Sequence, residues 1–163
     1  MRPLLAAADP VLAKLDRFGP LPEADRALLR AITADSRWVT APSDLIRQDE
    51  PADGAFLVLD GFACRYKLRK TGMRQITAYL IPGDICGLDA AALAWSDHAV
   101  GTLSACRVAR LAPEAIELLL ASRSLAAALQ MSRRIDAAVA RAWLVSVGRR
   151  SAIERLAHLF CEL

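Results

Sequence analysis

Residues 62–84 read FACRYKLRKTGMRQITAYLIPGD, and this stretch decides the fold. Apolar and polar side chains alternate with a period of two before Gly72 and again after it. This period places successive side chains on opposite faces of a β-strand. Residues 70–72 and 82–84 have the composition of tight turns. The stretch therefore predicts an antiparallel pair of strands, whose inward side chains are Phe62, Cys64, Tyr66, Leu68, Ile76, Ala78 and Leu80.

The strand pattern extends in both directions, from Trp38 to Leu111. Further turn compositions occur at residues 50–54 and at Asp60-Gly61. Short strands separated by such turns are typical of an antiparallel barrel, a jelly roll or a β-roll.

Helical patterns lie on both sides of the strands, so the fold class is α+β. Residues 1–32 are mostly helical in pattern, with a break at Gly19-Pro20-Leu21-Pro22. Val11, Leu12 and Leu15 share a face of the first helix. A second helix should begin near Glu23, and a third at Pro113, a favoured first-turn residue. The buried stripe predicted for the second helix is Ala24, Leu28 and Ile32.

A long helix is predicted from about Ser124 to Val147, with Gly148 as its C-cap. Its apolar residues follow the 3-4-3-4-3 spacing of a two-helix coiled coil, which predicts a homodimer. The alternative is a helix packed on its own barrel. The final segment, residues 152–163, is again apolar at helical spacing. The predicted dimer interface consists of Ala128, Met131, Ile135, Ala138, Ala142 and Val145.

Composition excludes several classes of protein. The chain has 163 residues, 55% of them hydrophobic, a formal net charge of +3 and four cysteines. That charge indicates no nucleic-acid partner by itself. The cysteines form no CxxC pair, so a zinc site or a disulfide framework is not expected. Residues 1–15 are too short and too interrupted by charge for a membrane span or a signal peptide. We therefore expect a cytoplasmic protein that has no membrane association.

Five segments, in their order and spacing, resemble the Crp/Fnr family of bacterial transcription regulators. They are 45–52 (LIRQDEPA), 56–61 (FLVLDG), 79–90 (YLIPGDICGLDA), 131–134 (MSRR) and 154–159 (ERLAHL). The resemblance implies a β-roll of the cyclic-nucleotide-binding type, followed by a dimerisation helix. It divides the chain into a sensor domain (1–122), the dimerisation helix (123–148) and the start of a winged helix-turn-helix domain (149–163). Operator DNA would be bound by the rest of that domain, which is missing from this chain.

The resemblance also locates a ligand loop after the Pro-Gly-Asp turn. In nucleotide-binding members a Glu after the Gly accepts from the ribose hydroxyl, and an Arg holds the cyclic phosphate. Here Leu88 replaces that Glu, and residues 75–106 contain no Lys or Arg. The effector is therefore expected to be an unknown small molecule other than a cyclic nucleotide. The alternative is a cyclic-nucleotide-binding regulatory module of a signalling protein. Candidate pocket residues are Cys86, Gly87, Leu88, Asp89, Asp97, His98 and Ala99.

Other sensor chemistries find less support in the sequence. An apolar pocket beside Leu88, Leu93 and Trp95 would suit a non-phosphate ligand, or the roll could be filled by its own side chains. Haem would need His98 or Cys86 as a ligand, and an iron–sulfur cluster would need grouped cysteines. A cupin enzyme needs several histidines around a metal, and the chain has only two. No catalytic residue, metal site or cofactor is therefore expected.

Overall fold

The computed structural model describes residues 9–51, 53–93 and 95–162. Its helices are α1 (Pro10–Leu15), α2 (Glu23–Ala34), α3 (Leu88–Leu93), α4 (Pro113–Ala121), α5 (Arg123–Arg149) and α6 (Ala152–Glu162), with a short 3-10 turn at Asp16–Phe18. Its strands are β1 (Ser36–Val39), β2 (Asp44–Ile46), β3 (Ala55–Asp60), β4 (Ala63–Leu68), β5 (Arg74–Leu80), β6 (Ile85–Cys86), β7 (Ala99–Thr102) and β8 (Cys106–Leu111). Residues 1–8 and Leu163, which belong to the predicted first and last helical segments, lie outside the described residues.

The strands form two four-stranded antiparallel sheets, in the orders β1-β8-β3-β6 and β2-β7-β4-β5. Side chains from both sheets meet in one buried cluster, which fills the space between them. The cluster contains Phe56, Val58, Cys86, Cys106 and Val108 from the first sheet, and Ala63, Leu80 and Val100 from the second. The predicted antiparallel β-roll is thus confirmed.

Two of the side chains predicted to face the interior, at the two ends of residues 62–68, are exposed instead. Phe62 precedes β4 and is 47% exposed, and Leu68 at the end of β4 is 46% exposed. At the start of β4, the consecutive residues Ala63 and Cys64 are both fully buried. A strand that is covered on both faces gives no contrast between inward and outward side chains.

A second buried cluster lies on the outer face of the first sheet. Leu57 and Leu111 from the sheet pack there against Leu15, Leu29 and Leu125 from the helices. The predicted face of α2 is one residue out of register at its start. Ala24 is exposed, whereas Asp25 is buried and accepts a hydrogen bond from the hydroxyl of Ser122 at 2.9 Å. This bond ties α2 to the residue that caps α5.

Helix α5 shows two different faces. Residues at a 4-3-4-3-4-3 spacing are buried or half-buried against the chain's own fold: Leu125, Leu129, Ser132, Asp136, Val139, Trp143 and Ser146. Of the predicted seam, Ala128 belongs to the core of its own chain, while Met131, Ile135 and Val145 are 42%, 44% and 54% exposed. Gly148 does not end the helix, which continues to Arg149 with Arg150 as its C-cap. Within the described part of the chain, no helix is both long and apolar enough to span a bilayer.

Candidate functional site

The Pro-Gly-Asp turn is held from inside the molecule. Asp84 accepts a hydrogen bond from the backbone N–H of Ile81 at 2.8 Å, and its other oxygen pairs with the ammonium of Lys14 on α1. The backbone N–H groups of Gly83 and Asp84 are also hydrogen-bonded, at 2.8 and 3.0 Å. The aspartate therefore fixes the turn and docks it against the N-terminal helix, which gives it a structural task.

The residues directly after this turn are closely packed. Cys86 is buried, and its thiol points to the carbonyl of Phe56 at 3.6 Å. Burial raises the pKa of this thiol to about 12, so it stays protonated at neutral pH. Gly87 has φ +90°, and a Cβ there would lie 2.6 Å from Cδ1 of Ile46. Ile46 therefore packs directly on the backbone of Gly87.

Leu88 and Asp89 point toward the helices. Leu88 is half-buried and packs against the helical core cluster. The Asp89 carboxylate is exposed and forms an ion pair with Arg133 of α5. The two residues at the start of α3 therefore contact α5, and neither offers a hydrogen-bond acceptor to the interior of the roll.

The remaining candidates form a separate cluster at the start of β7. His98 is buried, and its Nδ1 lies 2.7 Å from the Asp97 carboxylate, which also pairs with Lys67 at 3.4 Å. Burial acts to raise the pKa of Asp97, but the His98 and Lys67 partners outweigh it and lower that pKa. Ala99 is buried opposite Tyr66 in the register of β4 and β7. This cluster and residues 86–89 share no hydrogen bond or ion pair in the described structure.

The electrostatics of both clusters disfavour an anionic ligand. Lys67 faces Asp97, Arg133 faces Asp89, and Arg65 faces Asp136. Arg74 lies over the ring of Tyr66, and each of the other three cations is already paired with a carboxylate. A phosphate would have to displace that carboxylate, because the ligand loop has no cation of its own.

Sequence reasoning missed a small cavity between the roll and α5. It has a volume of about 60 Å³ and is lined from the roll by Arg65, Tyr79 and Asp84, and from α5 by Asp136 and Trp143. Ligand pockets usually have volumes of about 300–1,000 Å³. The space holds no more than a few water molecules. The alternation of residues 62–68 contains no signal for it, because the predicted phase placed Arg65 on the outer face of the strand.

The predicted apolar pocket is not assembled. Leu88 lines an open groove of about 640 Å³ between α4 and α5, together with Ile116 and Leu129. Leu93 and Trp95 are 51% and 47% exposed and do not line that groove. Among the described residues, no group of three or more His, Cys, Asp or Glu side chains is placed to hold a metal ion.

Comparisons with known proteins agree with this architecture. Residues 37–123, more than half of the chain, match the family model "Cyclic nucleotide-binding domain". The transcriptional activatory protein AadR of Rhodopseudomonas palustris is 33% identical over 67 residues, which make up 40% of this chain and 28% of AadR. The structure of FixK2 from Bradyrhizobium japonicum has a TM-score of 0.70 and 25% identity over 78% of this chain and 64% of FixK2. The Thermus thermophilus catabolite activator protein has a TM-score of 0.62 and 18% identity, over 82% of this chain and 63% of that protein.

The chain thus spans less than two thirds of the length of each of these relatives. The match includes the strands, the Pro-Gly-Asp turn and the loop that precedes β7. The chain belongs to the cyclic nucleotide-binding domain family.

Proposed function

We propose that this chain is the sensor and dimerisation part of a Crp/Fnr-type DNA-binding transcription regulator, and that its effector is not a cyclic nucleotide. The likeness to AadR and FixK2 supports the regulator class. A regulator of this kind acts in the cytoplasm and catalyses no reaction. Operator DNA would be read by a winged helix-turn-helix domain that follows the stalk in such regulators.

The observation that carries the proposal on the effector is that the ligand loop has no cation of its own, and that Lys67, Arg133 and Arg65 are each paired with a carboxylate. Binding a cyclic phosphate requires unpaired donors, since a charge-assisted hydrogen bond contributes about 1.5–3 kcal/mol only when its donor is available. Leu88 adds to this, because it offers no acceptor to a ribose hydroxyl. The interior cluster of the roll is also filled by Phe56, Cys86 and Val100.

The dimer proposal depends on the outer face of α5. Met131, Ile135 and Val145 are partly exposed apolar side chains on the predicted seam. The face of α5 that packs on the roll is a different one, so the seam is available to a second copy. Because Ser122 caps α5, a boundary between sensor and stalk at residues 122 and 123 is consistent with the fold.

The alternative function is that of a nucleotide-binding regulatory module, which the name of the matching family suggests. Calorimetric titration of the chain with cyclic AMP and with cyclic GMP separates the two. We expect no saturable heat with either nucleotide up to millimolar concentration. Saturable binding of either one with a micromolar Kd would overturn the proposal on the effector.

A further inference from the structure

The cavity between the roll and α5 holds an ion pair that joins two parts of the fold. Nη2 of Arg65 on β4 lies 3.7 Å from Oδ2 of Asp136 on α5. The side chains are 22% and 39% exposed, so water screens the pair only in part. Arg65 stands opposite Val100 and Ala78 in the register of the second sheet.

The neighbouring charged groups already have other partners, so they do not compete for Arg65 or Asp136. Asp84, the other carboxylate of the cavity, is occupied by Lys14 and by the backbone of Ile81. The Nε of Arg65 is buried and has no hydrogen-bond acceptor among the described residues. Among those residues, the Arg65 guanidinium forms an ion pair with Asp136 only. Burial raises the pKa of Asp136, while the charges of Arg65 and Lys14 act against that effect and Asp84 adds to it.

An aromatic contact flanks the ion pair in the same cavity. The rings of Tyr79 on β5 and Trp143 on α5 have centroids 5.9 Å apart. Asp136 and Trp143 are seven residues apart, so they lie on one face of the helix. The roll therefore holds α5 at two points that are two turns apart.

These two contacts, together with the burial of Leu125 and Leu129 in the helical core cluster, determine how α5 is rotated about its axis. Ile135, in the predicted seam, directly precedes Asp136, and neighbouring residues in a helix are separated by about 100°. A rotation that brought Ile135 to face the roll would carry Asp136 another 100° around the helix, away from Arg65. The face that α5 offers to a second copy thus depends on Asp136 remaining against Arg65.

We infer that the Arg65–Asp136 pair is an internal latch, which fixes α5 on the roll without an effector in the cavity. The inference rests on the proposed function, in which α5 is the stalk of a dimer. In this role Arg65 and Asp136 are positioning residues. The latch makes the dimer-competent orientation of α5 a property of the unliganded chain.

Charge reversal with rescue tests the latch. The variants are Arg65→Glu, Asp136→Arg and the double variant, and hydrogen exchange of residues 131–146 is followed by mass spectrometry without nucleotide. Each single variant should speed exchange there by about tenfold, because like charges then face each other across the cavity. The double variant should return exchange close to the wild-type rate.

Two further sets of variants keep the test decisive. Arg65→Gln and Asp136→Asn remove the attraction without introducing repulsion, and they serve if a reversed charge prevents folding. The matched control is reversal of the exposed Arg133–Asp89 pair, which also joins α5 to the roll and should change exchange less than the latch variants do.

The outcomes separate this inference from the proposed function. Unchanged exchange in the single variants, or a double variant that is not rescued, would refute the latch and leave the proposed function intact. Micromolar binding of a cyclic nucleotide to the wild-type chain would refute the proposed effector class, whatever the exchange rates are.

Discussion

The hydroxyl of Tyr66 donates a hydrogen bond to Oδ1 of Asp44 across 2.6 Å, and this bond joins β4 to β2. Tyr66 is only 6% exposed. Burial and the carboxylate of Asp44 together raise the pKa of Tyr66 to about 12, although the charge of Arg74 acts against them. The two strands lie on either side of β7 in the sheet order, so the bond closes the sheet over that strand.

This bond predicts a loss of stability in strong base. The pKa of Tyr66 is higher in the folded chain than the ordinary value of 10.0, so the unfolded chain loses the proton first. The contribution is therefore fully present below pH 10 and is lost as the pH rises toward 12. Denaturant unfolding of the wild type and of Tyr66→Phe, followed by circular dichroism from pH 8 to pH 11.5, measures it.

The phenylalanine variant should be less stable near pH 8 by about 0.5–1.5 kcal/mol, the usual net value of one hydrogen bond. The gap between the two proteins should narrow as the pH rises above 10. A gap that stays constant to pH 11.5 would show that Tyr66 does not titrate as its surroundings require.

The second prediction compares the cost in stability of replacing two glycines that have the same backbone conformation but different surroundings. Gly72 and Gly87 have φ of +80° and +90°, but only Gly87 has neighbours where a Cβ would be. Gly72→Ala should cost about 1 kcal/mol from its left-handed conformation alone. Gly87→Ala should cost about 1–3 kcal/mol more, because Cδ1 of Ile46 must move. Thermal unfolding compares them, and equal losses would mean that the loop after β6 is loosely packed.

The general architecture could be predicted because it depends on short-range signals. Pro-Gly-Asp and Lys-Thr-Gly mark turns wherever they occur, and Pro113 marks a helix start, so the roll and most helix boundaries followed. Gly148 was misleading, since glycine costs a helix only about 1 kcal/mol and packing can offset that cost. The N-terminal face of α2 also differed, because Asp25 is buried by hydroxyl partners nearly a hundred residues away.

The candidate site was predicted less well, for a related reason. Residues 86–89 and 97–99 were grouped because the resemblance places them around one ligand loop. In the fold Cys86 and Ala99 belong to different sheets, and the partners of Asp89 and Asp97 come from α5 and β4. The Arg65–Asp136 pair links residues 71 positions apart, and no pattern in the sequence reports it. Likewise, Ala128 fits the seam spacing but is buried in its own core, because two apolar faces of α5 overlap at its start.

Cysteine reactivity gives a third prediction. Cys64, Cys86 and Cys106 are buried and Cys161 is exposed. Burial raises the pKa of each of the three buried thiols, and a protonated thiol is a poor nucleophile. A thiol-specific disulfide reagent at pH 8 should therefore label one cysteine per folded chain quickly, and all four in denaturant.

The variant Cys161→Ser provides the control for this experiment. It should lose the fast phase and keep three thiols that react only after unfolding. Fast labelling of any thiol in the folded variant would contradict the burial of Cys64, Cys86 and Cys106.

The seam of α5 supplies the fourth prediction. In a parallel pair of helices related by a two-fold axis, each seam residue faces its own counterpart, so Ile135→Glu places two carboxylates together in an apolar contact. The dimer should weaken by about 3 kcal/mol, or about a hundredfold in its dissociation constant. Ala138→Glu should act in the same way. Sedimentation velocity at micromolar concentration then reports a monomer for either variant and a dimer for the wild type.

The matched control is Met73→Glu, which introduces the same charge at an apolar side chain that is 64% exposed in the turn between β4 and β5. That position is not part of the predicted seam, so this variant should remain dimeric. If Ile135→Glu also remains dimeric, the second copy does not bind along α5. If all three variants and the wild type are monomers, the exposed face of α5 has another partner, and the stalk assignment fails.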